Sequence, residues 1–173
     1  MKRQFWALLL LLLPFISSCK KMTEFTIHNS TEFVIPGSSV LVNLPVSVAT
    51  PEVESSSSYH FSSNKTDAKH VKQIKLTRLT LTAISPSGAN FDFLNSVSIY
   101  ISADGLQETL LASLTDIPEG KTSIDLHPSQ QEFQEYIKRD KYKIRIETTT
   151  DKINSFDTGV RADMSFWVKA KLL

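Results

Sequence analysis

A chain of 173 residues with 41% hydrophobic and 21% charged residues has the length and balance of one packed domain, which excludes a disordered or fibrous protein. A formal net charge of +1 leaves no basic excess for a phosphate backbone, so no nucleic-acid partner is expected. A single cysteine, Cys19, excludes a disulfide framework.

The chain begins with Lys2 and Arg3, continues in an almost unbroken apolar run from Phe5 to Ile16, and reaches Ser17 and Ser18 directly before Cys19. That is the layout of an export signal. The run is interrupted by Pro14 and falls short of the about 17–25 apolar residues that a spanning helix needs. Ile16-Ser17-Ser18-Cys19 resembles the lipobox of bacterial lipoproteins, whose cysteine thiol takes up diacylglycerol and becomes the new N-terminus after cleavage. Ordinary secretory cleavage near the same place is the alternative. Lipidation also removes a lone thiol that would be a liability in an oxidising compartment. Two or more acyl chains, palmitate among them, hold a protein stably where one does not. The expected organisation is therefore a signal peptide over 1–19 that includes the lipidated Cys19, a tether over 20–22, and one domain over 23–173. Without Lys2 and Arg3 the mature part has 17 basic and 18 acidic residues, a net charge of −1.

From Thr23 onward the dominant pattern is alternation with period two, rich in Val, Ile, Thr and Phe, as half-buried strands require. Strands are predicted over Glu24 to His28, Ser39 to Ala49, His70 to Ile84, Ser96 to Ser102, Glu108 to Leu114, Thr122 to Leu126, Tyr142 to Thr150 and Val160 to Leu172. The stretch 50–67, with Ser55 to Ser58 in a row, reads as a Ser-rich crossover loop inside one domain. In the segment from His70 to Ile84 the apolar phase shifts between Leu76 and Leu79, which predicts a bulge near Thr77 and Arg78. One short helix is predicted after Pro128, where Ser129 and Glu132 have capping-box spacing, running to Lys138 with Phe133, Tyr136 and Ile137 inward. Pro36-Gly37, Asp104-Gly105 and Glu119-Gly120 read as turns. In the last strand Val160, Ala162, Met164, Phe166, Val168 and Ala170 share one face, and one-sided burial favours antiparallel pairing. The fold class expected is mainly β, an antiparallel two-sheet sandwich with one short helix.

Catalytic chemistry finds little support. His28, His60, His70 and His127 lack the short spacing that presents two imidazoles to one ion, so neither a metal nor a cofactor is expected. No Gly-flanked serine elbow and no Gly-rich phosphate loop occurs. Asp92, Asp104, Glu108, Asp116 and Glu119 lie in predicted loops, where a pair of acids would be needed for glycoside hydrolysis; solvated loop acids are the plainer reading. Two basic groups, Lys65 to Arg78 and Lys138 to Arg145, read as solvated faces of edge strands. Tyr100 and Trp167 break phase and fall with the polar residues of their strands, which makes them the candidate contacts for a partner or glycan, with cover by a loop or the helix as the alternative.

Ile74-Lys75-Leu76, Leu79-Thr80-Leu81-Thr82, Pro86, Asn90-Phe91-Asp92-Phe93-Leu94, Ile99-Tyr100-Ile101-Ser102, Ile117-Pro118, Tyr136-Ile137 and Phe166-Trp167-Val168-Lys169-Ala170 together resemble a family of small uncharacterised lipoproteins of Bacteroidota. The resemblance implies a sandwich of immunoglobulin-like or desiccation-protein-like type and no activity. Within it, Asn90 to Leu94 looks like a hydrophobic plug between strands, with a binding loop as the alternative. Lys20-Lys21-Met22 has neither an aspartate directly after the cysteine nor an acidic surface-export tag, which favours the outer membrane and leaves open which side of it the protein faces. The functional expectation is a membrane-tethered, non-catalytic envelope module that binds an envelope protein or glycan. The alternatives are a structural subunit of a surface appendage or adhesin, and an envelope hydrolase.

Overall fold

The structure is a computed structural model that describes residues 21–38 and 45–173. Cys19 with the predicted signal segment, and most of the strand predicted from Ser39 to Ala49, lie outside the described residues. The described chain is mainly β. Its strands are β1 (Met22–Ile35), β2 (Val46–Ala49), β3 (Val53–Glu54), β4 (Val71–Ser85), β5 (Leu94–Ser102), β6 (Thr109–Thr115), β7 (Ser123–Pro128), β8 (Lys141–Thr150) and β9 (Thr158–Lys171). All pairings are antiparallel, and the strands join in one sheet of order β1-β9-β4-β7-β6-β5-β8-β2, with β3 also on β8.

Alternation decides which face is wet. In β9 Val160, Ala162, Met164, Phe166, Val168 and Ala170 are all buried, while Arg161, Asp163, Ser165, Trp167 and Lys169 face outward. β6 and β7 share only two register pairs, Ala112 with Pro128 and Ser113 with His127, so this seam divides the curled sheet into halves β1-β9-β4-β7 and β6-β5-β8-β2. The inner sides of both halves supply one hydrophobic cluster, from Ile27 and Leu79 to Ile99 and Ile146. The register of β4 on β9 shifts between Leu76 and Arg78, where the apolar phase slips in the sequence. That bulge keeps Leu76 and Leu79 both inward although they stand three residues apart.

Asn90 to Leu94 is a plug. Phe91, Phe93 and Leu94 are buried, the Phe91 N–H donates to the Lys121 carbonyl at 3.0 Å, and the Asn90 amide donates to Asp92 at 2.9 Å. Asp92 Oδ1 in turn accepts the Gly120 N–H at 2.5 Å, so its carboxylate ties the 119–121 turn to the plug.

Several expectations need correction. Among the described residues there are two short helices, not one: α1 (Ser57–Ser63) lies within the stretch read as a Ser-rich loop, and β3 precedes it. Its one apolar anchor, Phe61, is 2% exposed and meets Phe25 edge-on at 6.3 Å. A single buried ring among serines leaves no helical period to read. The serines help to hold it, since Ser55 Oγ donates to the Arg139 carbonyl at 2.5 Å. The second helix, α2, is only Gln134–Ile137, and no side chain caps it. Ser129 cannot serve as cap because its N–H donates to Leu111 and its hydroxyl to Leu110, while Glu132 accepts from Gln73 at 2.6 Å. The inward stripe holds, with Phe133 and Ile137 buried and Tyr136 half-buried. Gly37 is a close approach rather than a positive-φ turn, for a Cβ there would stand 2.7 Å from the Phe156 backbone.

The basic residues are not on edge strands. β4 lies between β9 and β7, and β8 lies between β5 and β2, so the edges of the sheet are β1 and β2. Arg78 and most cations of the second group face opposite charges, as in Arg78 with Asp125 at 3.2 Å and Lys141 with Glu54 at 3.0 Å, whereas Lys65 and Lys69 stand on the loop before β4.

Candidate functional site

Tyr100 and Trp167 both point outward, but they do not form one site. Trp167 stands on β9, with Thr26 of β1 and Lys75 of β4 across from it in register. Tyr100 stands on β5, with Leu110 of β6 and Arg145 of β8 across from it. β4, β7 and β6 separate their strands in the sheet, which puts the two rings on the outer faces of different halves. Both are half-buried.

The face of Tyr100 is already occupied. The Arg145 guanidinium sits 4.3 Å from its ring centroid, within range of a cation–π contact. Arg145 is fixed there by Glu108 at 2.7 Å, Glu147 at 2.9 Å and the Ser47 hydroxyl at 3.2 Å. The hydrogen bond from Arg145 holds the Glu108 carboxyl below its usual pKa, and the same bond raises that of Arg145. A carboxylate depressed in the folded state adds stability that is complete above its unfolded pKa, about 4.3. That stability is lost as pH falls through the folded value. The expected outcome is a wild-type chain more heat-stable than Glu108→Gln at pH 7, by under about 1 kcal/mol because the pair is partly solvated. The gap should close between about pH 5 and about pH 3. Calorimetric scans of both chains across that range check it, and a constant gap would sink the linkage.

The loop acids fall into two groups. Asp92, Asp116 and Glu119 gather at the end of the molecule where β1 and β8 finish, and Asp104 and Glu108 lie at the other end. Glu108 is engaged by Arg145, Glu119 by Lys152, and Asp92 by Asn90 and the Gly120 N–H. Among the described residues no group of three or more His, Cys, Asp or Glu is placed to hold a metal ion. His28 bonds Ser165 at 3.0 Å and His70 bonds Asp67 at 2.8 Å.

Clefts open at both ends of the molecule. Beside the start of β8, Glu52, Asp104, Arg139, Lys141, Tyr142 and Lys143 line about 350 Å³. The buried Tyr142 hydroxyl has no hydrogen-bond partner among the described residues, and burial pushes its pKa far up. At the opposite end Pro86, Asn90, Phe93, Asn154, Phe156 and Thr158 line about 270 Å³. Around this second cleft the surface is apolar: Phe156 is 69% exposed, Ile153 54%, Val34 49% and Ile84 42%. Val34 pairs with Gly159, where a Cβ would stand 2.3 Å from Ser85 Oγ and 3.5 Å from Ile84 Cγ1, so the bare glycine admits the Ser85 hydroxyl and lets Ile84 lie close to that pair. The Gly37 N–H donates to Asp157 at 2.9 Å and the Ser38 N–H to the Asn154 carbonyl at 2.6 Å, which fixes the Phe156 loop against the end of β1.

Sequence reasoning missed this apolar end. Ile84 was legible, because once the phase resets after the bulge Leu79 and Leu81 point inward and Ile84 outward. Val34 was not, since strand propensity was followed only to His28 whereas β1 runs on to Ile35.

No family model matches the sequence, and no curated protein matches it. Solved structures give distant likenesses. A BFDV capsid protein crystallised as a 60-mer has 9% identity and a TM-score of 0.45, over 90% of this chain and 96% of that one. The protein FLHE has 8% identity and a TM-score of 0.31, over 86% and 97%. A structure of carbohydrate-binding modules from the beta-sandwich superfamily has 13% identity and a TM-score of 0.27, over 90% and 57%. At these scores none of them assigns the chain a family or an activity.

Proposed function

We propose that this is a lipoprotein of the cell envelope, held at the outer membrane by acyl chains on Cys19, whose sandwich-like β domain is a non-catalytic binding module. Its partner is an envelope protein or a glycan. The observation that carries this reading is the polarity of the fold. The described chain starts at Lys21, two residues beyond Cys19, at one end of β1. With 14 residues β1 spans about 45 Å, and at its far end stand the exposed Val34, Ile84, Ile153 and Phe156. A tether at one end and an apolar contact surface at the other suit a protein that reaches away from its membrane.

Affinity capture from native membranes with the lipidated full chain tests it. The double substitution Phe156→Ser, Ile153→Ser is expected to lower recovery of the captured partner by about tenfold or more, the cost of losing a hot spot of about 2 kcal/mol. Circular dichroism of the variant should be unchanged, since both side chains are exposed. Recovery equal to wild type would move the contact surface elsewhere, and Trp167→Ala and Tyr100→Ala, made separately because they lie on different faces, would then locate it.

A second reading is favoured by β1 itself, a 14-residue edge strand that a neighbouring subunit could extend. That appendage reading requires association that grows with concentration, and a monomer at all concentrations in sedimentation velocity counts against it. A hydrolase is the weakest of the three, because the loop acids are divided between the two ends.

A further inference from the structure

We propose that one side of the tether-bearing end, made by the tips of β1, β9 and β4 with the 64–70 loop, docks on anionic phospholipid headgroups and so sets the tilt of the domain on its membrane. The inference rests on the lipid anchor proposed above and adds a second, electrostatic attachment to it.

Backbone bonds gather this surface from distant parts of the chain. The Leu172 N–H donates to the Lys21 carbonyl, the Lys171 N–H to that of His70, and the Leu173 N–H to that of Lys65, each at 3.0 Å. The Thr66 hydroxyl donates to the Lys171 carbonyl at 2.6 Å. The result is a cleft of about 300 Å³ lined by Lys21, His70, Lys171 and Leu172, with Lys65, Lys69 and Lys72 on the adjoining loop and strand. Of the acids near it, Glu24 is engaged by Lys169 at 3.2 Å, Asp67 by His70 at 2.8 Å, and Glu132 by the Gln73 amide at 2.6 Å. Lys21, Lys65, Lys69 and Lys72 are exposed and make no ion pair among the described residues. Met22 and Leu173, 39% and 76% exposed, add apolar surface beside them.

The charge is local. On the β3, β8 and α2 side of the same end, Lys141 meets Glu54 and Glu52, Lys143 meets Glu52, and Lys138 meets Glu135. That side is balanced. At the far end, among the described residues, Asp92, Asp116, Glu119, Asp151 and Asp157 stand against Lys121 and Lys152, the latter paired with Glu119. A near-neutral protein thus has a positive edge next to its tether and a negative end away from it, a distribution that turns the edge toward an anionic surface. From Cys19 to Lys21 the chain reaches about 7 Å, less than the roughly 8–10 Å over which a charged membrane acts at ordinary salt. Lysines on this edge are therefore held inside the field by the anchor. Binding through them replaces lipid counterions and orients the domain without any new covalent step.

The test reconstitutes the acylated full chain in vesicles of phosphatidylcholine alone or with phosphatidylglycerol. A fluorophore on Lys65→Cys reports distance to a headgroup-attached quencher, and the same fluorophore on Glu119→Cys serves as the far-end control. Quenching at position 65 is expected to rise at least about twofold with the anionic lipid and to lose that rise in 1 M salt, where the screening length is about 3 Å. Position 119 should respond to neither. The triple substitution Lys21→Glu, Lys69→Glu, Lys72→Glu should abolish the rise while leaving the circular dichroism spectrum unchanged. Equal quenching in both lipids, or a rise that survives the triple substitution, overturns the proposal. If intact mass shows Cys19 without an acyl group, the anchor reading fails by itself, and the same two-lipid comparison with the unacylated chain added to vesicles still decides the docking.

Discussion

Phe166→Ala is expected to destabilise the domain by about 3–5 kcal/mol, near the upper end of what loss of one core side chain costs. Phe166 is fully buried at the middle of β9, in the half of the sheet where β9 is flanked by both β1 and β4. Its ring meets Phe133 edge-on, with centroids 6.3 Å apart, and Phe133 is the residue that leads into α2. Truncation therefore costs the transfer energy of the ring, leaves a cavity between sheet and helix, and removes an aromatic pair that adds about 0.5–1.5 kcal/mol beyond area. The Phe133 N–H bond to the Ile74 carbonyl, 2.8 Å long, holds that segment to β4 and limits how far it can collapse into the space. For a domain of this size each kcal/mol moves the melting temperature by about 2–4 °C, so a fall of about 10 °C is expected. Thermal denaturation followed by circular dichroism measures it. A fall below about 3 °C would show that the inner faces of the two halves do not share one packed core.

Cys19→Ser is expected to move the protein from the detergent phase to the aqueous phase in a detergent partition. Each buried acyl methylene contributes about 0.8 kcal/mol, so two or more chains dominate every other membrane contact, the lysine edge included. The wild-type protein should carry the mass of a diacylglyceryl group on Cys19 after loss of residues 1–18. A serine variant that remains with the detergent, or a wild-type chain with an unmodified thiol, would refute the anchor and with it the proposed localisation.

Core packing is written into the chain in two ways, one legible in neighbouring residues and one not. Alternation in Val160 to Ala170 told which face of β9 is dry, because each inward residue is buried by whatever covers that face and the pattern does not depend on the identity of the cover. The slip between Leu76 and Leu79 told of a bulge for the same reason. Phe61 behaved differently. Its helix is held because Phe25 receives the Phe61 ring and the Arg139 carbonyl accepts the Ser55 hydroxyl, contacts with distant parts of the chain that are invisible in a run of serines. Ser129 and Glu132 had the right spacing for a cap, yet Leu110, Leu111 and Gln73 took their hydrogen bonds. Local chemistry offered one set of partners and the fold supplied a competing set.

The candidate site divides along the same line. That Tyr100 and Trp167 face outward follows from a two-residue period, a property of each strand alone. That they face away from one another, and that Arg145 covers Tyr100, depends on the sheet order, which places three strands between β5 and β9 and puts β8 beside β5. The apolar end at Val34, Ile84, Ile153 and Phe156 and the lysine edge at Lys21, Lys65, Lys69 and Lys72 are each assembled from separate chain segments. Sequence by itself determined the signal segment pattern, the β character and the phase of most strands, because these are written in neighbouring residues. Only the tertiary structure decided which faces oppose, which charges are cancelled and which surface lies beside the start of β1, because those properties belong to residues brought together by pairing across the whole chain.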